Sequence, residues 1–320
     1  MEKFQSLRIV FMGTPEFAVA SLDALVKAGC NIVGVITAAD KPAGRGMKMN
    51  ESAVKKYAVE HKLKILQPEK LKNPEFLAEL KSLNADLQIV VAFRMLPEVV
   101  WSMPPMGTVN LHGSLLPQYR GAAPIHWAVI NGEKETGVTT FKLKHEIDTG
   151  DILLQKNFLI DDDETTGDVH DKMKKIGADV LVETVKGLAH GTLKETPQDS
   201  KLATENLKLK HAPKITTESC RINWSDSVEN VYNLIRGLNP HPAAFTMVNE
   251  KMMKVFRAKK EVVSPAKIEG DYETDGKTYL KFTCANGYIH LLEIQMEGKK
   301  KMGIEEFLRG YRFLSSLQVI

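Results

Sequence analysis

The sequence predicts an α/β domain on a parallel-rich sheet, followed by a small OB-like β-barrel. Three observations carry that expectation. Short, continuous, β-branched runs alternate with helical patterns through the front of the chain, as a sheet covered on both faces by helices requires. A polar stretch from Thr192 to Lys214, with Pro197, Pro213 and several lysines, then reads as a linker. Beyond it, short strand-like runs are separated by turn dipeptides, the pattern of a small barrel. The division is therefore residues 1–191, a linker at 192–214, and residues 215–320.

Leu7 to Met12 is the first apolar run, ending in Gly13-Thr14-Pro15. Pro15 suits a helix start, and helical spacing follows from Glu16 to Ala28. Asn31 to Thr37 reads as a second buried strand, and Ala38 to Asn50 as a Gly/Pro/Lys loop. Helices are expected over Ser52–His61 and Pro74–Leu83, with buried strands over Asp86–Phe93 and Gly107–His112. Thr136–Leu143 and Asp151–Leu159 alternate more and read as later strands. Thr165 to Leu188 is a long amphipathic helix, with Gly167 a weak point near its start. In the back part, Val228 to Gly237 is helical. Strand-like runs cover Ala244–Val248, Met252–Ala258, Tyr279–Thr283 and Tyr288–Gln295, with Asp275-Gly276 and Asn286-Gly287 as turn signals.

Composition bounds the function. Hydrophobic residues make up 43% of the chain and charged residues 26%, enough to bury a core. The longest apolar runs, such as Leu87 to Phe93, fall far below the ~20 residues of a membrane helix, and no apolar signal core opens the chain. The expectation is a cytoplasmic protein with no membrane association. Three widely spaced cysteines fit reduced thiols, and no pair of them has zinc-ligand spacing. Net charge is +3, but from Leu207 onward 18 basic residues face 13 acidic ones. A mildly acidic front and a basic back suit a polyanionic partner for the back part, although solvated surface explains the charge equally well.

The chemistry concentrates in Asn110-Leu-His112-Gly-Ser114-Leu115-Leu116-Pro117 and, later, Asp148-Thr-Gly-Asp151. Asn110 and His112 are two apart at the end of an expected strand, so both point to one face. In open α/β sheets, ligands bind at that end. An amide, an imidazole and a carboxylate can together stabilise an oxyanion, move a proton and orient a ring. That is equipment for acyl transfer without a metal or a covalent nucleophile. Taken alone, Asp148 to Asp151 is also an ordinary polar turn. Gly13 lacks the further glycines of a dinucleotide fingerprint, the next glycine being Gly29, which argues against an oxidoreductase. Lys41, Arg45 and Lys48 make a basic, glycine-rich loop that can meet phosphate or simply be surface. Lys299-Lys-Lys301 carries the same ambiguity.

These motifs resemble the methionyl-tRNA formyltransferases nearly end to end. The likeness includes Met12-Gly-Thr-Pro-Glu-Phe-Ala18, Asp40-Lys-Pro-Ala-Gly-Arg-Gly46, Asn110-x-His112-Gly-Ser-Leu-Leu-Pro117, Tyr119-Arg-Gly-Ala-Ala-Pro124 and Asp148-Thr-Gly-Asp151. Ile222-Asn-Trp224, Ile235-Arg-Gly-Leu-Asn-Pro240, Lys254-Val-Phe256 and Gly298-Lys-Lys extend it. The resemblance implies a Rossmann-like formyltransferase domain over 1–191 and an OB-like, tRNA-binding domain over 215–320. It implies formyl transfer from 10-formyltetrahydrofolate, with no metal, to the α-amine of initiator methionyl-tRNA in translation initiation, by a monomer. Asn110, His112 and Asp148 would be catalytic. Ser114, Leu115, Leu116 and Pro117 would line the folate site, and Arg45, Lys41 and Lys48 would meet the tRNA acceptor arm. One departure is Ala92-Phe93-Arg94, near the expected pterin, where many relatives have Ala-Tyr-Gly. The nearest alternatives are formyl transfer to a sugar-nucleotide amine or to glycinamide ribonucleotide, hydrolysis of formyl-folate, and a non-catalytic RNA-binding protein on the same fold.

Overall fold

Seven strands in the order β10-β9-β7-β6-β1-β2-β5 form the sheet that carries the sequence motifs, in a computed structural model describing residues 2–43, 48–200, 208–265 and 268–311. These are β1 (Arg8–Gly13), β2 (Asn31–Ile36), β5 (Ile65–Leu66), β6 (Leu87–Val91), β7 (Thr108–His112), β9 (Glu135–Lys142) and β10 (Ile152–Leu159). Five of them, from β7 through β5, pair in parallel, while β9 runs antiparallel to β7. The sheet is thus parallel-rich, as expected, with an antiparallel edge.

Helices α1 (Glu16–Lys27), α2 (Ala53–Glu60), α3 (Pro74–Ser82), α4 (Glu98–Trp101) and α6 (Thr166–His190) punctuate the strands. Their starts follow local chemistry. The Ser52 hydroxyl accepts the Lys55 N–H at 3.0 Å, and the Asn73 side chain accepts the Glu75 N–H at 2.8 Å just before Pro74. Val10, Met12, Ile36, Leu80 and Val90 form one side of the core with Phe76 and Val100. Each fully buried side chain of this kind contributes roughly 1.5–3 kcal/mol by leaving water. The stretch read as a Gly/Pro/Lys loop contains two short strands, β3 (Lys41–Ala43) and β4 (Lys48–Asn50), paired antiparallel. Pro42 lacks a ladder donor, which a two-stranded pair tolerates.

By contact, the chain divides into one unit of residues 1–120, 137–158 and 171–210 and a second of residues 121–136, 159–170 and 211–320. The second unit is thus not contiguous in sequence. It contains α5 (Pro124–Ile130), β11 (His211–Ala212) and α7 (Val228–Gly237), with the short β8 (Arg120–Gly121) at its entry. Gly237 lets α7 approach α5 closely, since a Cβ there would lie 2.4 Å from the Ile130 side chain.

The back part is an antiparallel sheet ordered β12-β13-β16-β15-β14, with β17 paired to β16. Its strands are β12 (Ala244–Val248), β13 (Lys251–Val262), β14 (Tyr272–Thr274), β15 (Leu280–Cys284), β16 (Gly287–Met296) and β17 (Met302–Gly303), followed by α8 (Ile304–Gly310). Irregular register around Arg257 bends β13 and helps the sheet curl over its core. In that core Trp224 stacks on Phe282 at 4.5 Å between centroids and donates its indole N–H to Thr246.

Candidate active site

Strand β7 places Asn110 and His112 two residues apart, so the pleat sends both to one face near the carboxyl end of the parallel strands. Asn110 is half-buried and pairs across the sheet with Val90 and Phe141. Its amide makes no side-chain hydrogen bond among the described residues. His112 is 6% exposed, with the Phe141 ring edge-on at 6.4 Å. Its Nε2 lies 2.9 Å from the Tyr119 carbonyl. A carbonyl oxygen only accepts, so Nε2 carries a proton there. The nitrogen left for chemistry is Nδ1, and Asp148 Oδ2 faces it at 3.8 Å. That separation is too long for a direct hydrogen bond and suits an ion pair with the imidazolium.

Asp148 reaches this position from an irregular turn between β9 and β10, where its φ of 54° is left-handed. Aspartate tolerates that region better than most residues. Gly150 is required beside it, because a Cβ there would sit 1.6 Å from the Lys142 carbonyl. Gln198 Nε2 donates to the carbonyls of Asp148 at 2.9 Å and Gly150 at 2.7 Å. Its Oε1 accepts from Arg120 Nε at 3.0 Å and Nη2 at 2.7 Å. Gln198 falls in the stretch read as linker and was not anticipated. A polar residue in a polar segment carries no local signal, and only the neighbouring Pro197 hinted at a fixed conformation.

The Ser114–Pro117 loop is rigid. The Ser114 hydroxyl donates to the Gln118 carbonyl at 2.6 Å, and Thr139 Oγ1 donates to the Ser114 carbonyl at 2.7 Å. Gln155 bridges the Leu116 carbonyl and Thr139 Oγ1, each at 2.8 Å. The Leu116 side chain is fully buried with Phe141 and Ile152, and its backbone groups are already bonded. Leu116 therefore shapes this loop from below, and Ser114 and Pro117 are buried as well. Leu115 is only partly buried and lies against Gly137, whose absent Cβ leaves it room.

Lys41 is exposed on β3 and Lys48 lies on β4, while Arg45 lies outside the described residues. The base of this segment is tied down by Asp40, which accepts from Lys55 and from Gln67, the latter at 2.8 Å. Those bonds, Lys55 first, hold the Asp40 carboxyl below its ordinary range. At the Ala92-Phe93-Arg94 departure, the Arg94 guanidinium donates to the carbonyls of Pro68 and Glu69 and lies 5.7 Å from the Phe93 ring centre. The arginine thus ties two loops together. Burial pushes the Cys30 thiol up to about 11 and the Cys284 thiol up to about 12, which leaves both poor nucleophiles at neutral pH.

A formyl transferase model matches residues 7–185, and a formyl transferase C-terminal domain model matches residues 214–312. The methionyl-tRNA formyltransferase of Bacteroides fragilis is 50% identical over 322 residues, covering 99% of this chain and 99% of its own. That of Phocaeicola vulgatus is 54% identical over 318 residues, covering 98% of both. Among solved structures, an N-formyltransferase from Helicobacter canadensis, in complex with folinic acid and dTDP-3-aminofucose, aligns with a TM-score of 0.67 at 19% identity. The alignment covers 92% of this chain and 100% of that one, a likeness of fold.

Proposed function

The chain belongs to the methionyl-tRNA formyltransferase family, and from that membership we propose how its residues divide the work of formyl transfer. The reaction moves a formyl group from 10-formyltetrahydrofolate to the α-amine of methionine on initiator methionyl-tRNA, in the cytoplasm, to prepare translation initiation. The observation that carries the assignment is the His112 Nδ1–Asp148 Oδ2 pair beside Asn110 at the end of β7.

The amine must attack as a neutral nucleophile, forming its bond to the formyl carbon. Negative charge then develops on the formyl oxygen, and the Asn110 amide N–H and protonated His112 Nδ1 donate to it. Asp148, facing His112 Nδ1 at 3.8 Å, takes the proton lost by the amine, through a water. The bond from carbon to the folate nitrogen breaks, and that nitrogen leaves with a proton from His112. The chemistry needs donors, a proton store and a leaving-group acid, which these side chains supply without a metal.

Ser114, Leu115, Leu116 and Pro117 form the folate site, with the Leu116 side chain fixing the shape of the loop from the core. Residues 1–191 carry folate and catalysis. Residues 215–320, across the 192–214 stretch, grip tRNA together with Lys41, Arg45 and Lys48, and the protein acts as a monomer. Such phosphate contacts weaken with salt.

The test is transfer of labelled formyl from 10-formyltetrahydrofolate, with initiator methionyl-tRNA, elongator methionyl-tRNA and free methionine as parallel acceptors. Labelling confined to the initiator is the expected result. Formate release without acceptor labelling would replace transfer by hydrolysis.

A further inference from the structure

We propose that Gln198 and Arg120 are positioning residues that hold Asp148 against His112; the proposal rests on the reading of Asp148 as catalytic. The contacts close into a ring. His112 Nε2 bonds the Tyr119 carbonyl, and the next residue, Arg120, sends its guanidinium to Gln198 Oε1 through two nitrogens. Gln198 Nε2 then bonds the carbonyls of Asp148 and Gly150, and the Asp148 carboxylate returns to His112 Nδ1.

Each link uses chemistry that a near substitute lacks. Glutamine offers both a donor and an acceptor, and here both are used while the side chain is 2% exposed. Glutamate would keep the acceptor for Arg120 and lose both N–H donors. Arginine presents its nitrogens in a fixed fork, which sets the orientation of the amide it meets. The segment bearing Gln198 is itself anchored, because Thr196 and Ile152 exchange two backbone hydrogen bonds of 2.9 Å. The turn it holds needs support, since the left-handed Asp148 backbone has no strand or helix ladder of its own.

A carboxylate that drifts by about 1 Å loses its place at the imidazole and costs on the order of a hundredfold in rate. Gln198→Leu is therefore expected to lower kcat between about 10- and 100-fold while leaving the KM for 10-formyltetrahydrofolate unchanged. Gln198→Glu, which keeps an acceptor for Arg120 and so keeps the site packed, is expected to lose kcat as well. The deciding measurement is a double-mutant cycle with Asp148→Asn, each protein checked for folding by circular dichroism and thermal unfolding. If Gln198 acts through Asp148, adding Gln198→Leu to Asp148→Asn costs little more. Equal losses in both backgrounds, or wild-type kcat in both Gln198 variants, would overturn the proposal. A wild-type rate for Asp148→Asn alone would instead overturn the catalytic reading of Asp148.

Discussion

Strand β7 and the turn at 145–150 each deliver groups proposed to be catalytic, by different means, and the two meet at His112 and Asp148. Asn110 and His112 are aimed by the pleat of a strand paired on both sides. Their relative position is a property of the sheet and survives most changes of side chain. Asp148 is aimed by a left-handed residue, an obligatory glycine and a glutamine that bonds two carbonyls. Its position depends on those particular residues and is expected to be lost when one of them changes. The strand separates chemistry from stability, and the turn couples them.

The largest effect expected on the strand side is Asn110→Ala. Removing one oxyanion donor costs roughly a hundred- to a thousandfold in kcat, about 3–4 kcal/mol of barrier. The half-buried amide makes no bond to the described residues, so the melting temperature should stay put. Steady-state formylation and calorimetry on one preparation check both halves. A large drop in melting temperature would break the separation claimed for the strand.

Gly150→Ala should do the reverse and move both readouts together. The new methyl meets the Lys142 carbonyl, so either the turn or β9 must shift, at about 1–3 kcal/mol. Calorimetry should register that loss, and kcat should fall with it because Asp148 shares the turn.

A smaller effect belongs to an aspartate-centred turn that the proposed mechanism does not use. Asp275, between β14 and β15, accepts the Thr278 hydroxyl and the N–H groups of Lys277, Thr278 and Tyr279. These bonds, the Thr278 hydroxyl first, hold its carboxyl well below the usual carboxylate range. A depressed folded value means that the contribution to stability is present above the ordinary carboxylate range. It is lost as pH falls toward the folded value. Asp275→Ala at neutral pH, and acidification of the wild type, should both speed amide exchange at Thr278 and Tyr279. At saturating substrates the alanine variant should keep its kcat. A fall would mean that the coupling of turn and chemistry is not special to Asp148.

The sequence was legible where residue type and period act locally. Buried β-branched runs became β1, β2, β6 and β7, and the Asn-x-His spacing put two polar groups on one face. Asp275-Gly276 and Asn286-Gly287 sit at the turns they signalled, Gly276 with a φ of 72°. Asp148 was legible only as a partner for His112, because its own surroundings read as an ordinary turn. Gln198 was not legible, since its partners lie 48 to 78 residues away in sequence. The same holds for residues 121–136 and 159–170, which join the second unit through tertiary packing that no local pattern encodes. Pro124 did mark the start of α5, a signal that the sequence offered and the expected element order left unused.

The role of the Asp148 carboxylate is tested most directly by single-turnover formyl transfer in Asp148→Asn, with folate and initiator methionyl-tRNA saturating and folate affinity measured alongside. Asparagine keeps the size of the side chain and tolerates the left-handed backbone, so the charge and the capacity to take up a proton are what it removes. Folate affinity is expected to be unchanged and the transfer rate lower by about a hundredfold or more. A rate equal to that of the wild type would remove the carboxylate from the chemistry and leave the His112–Asp148 pair as architecture alone.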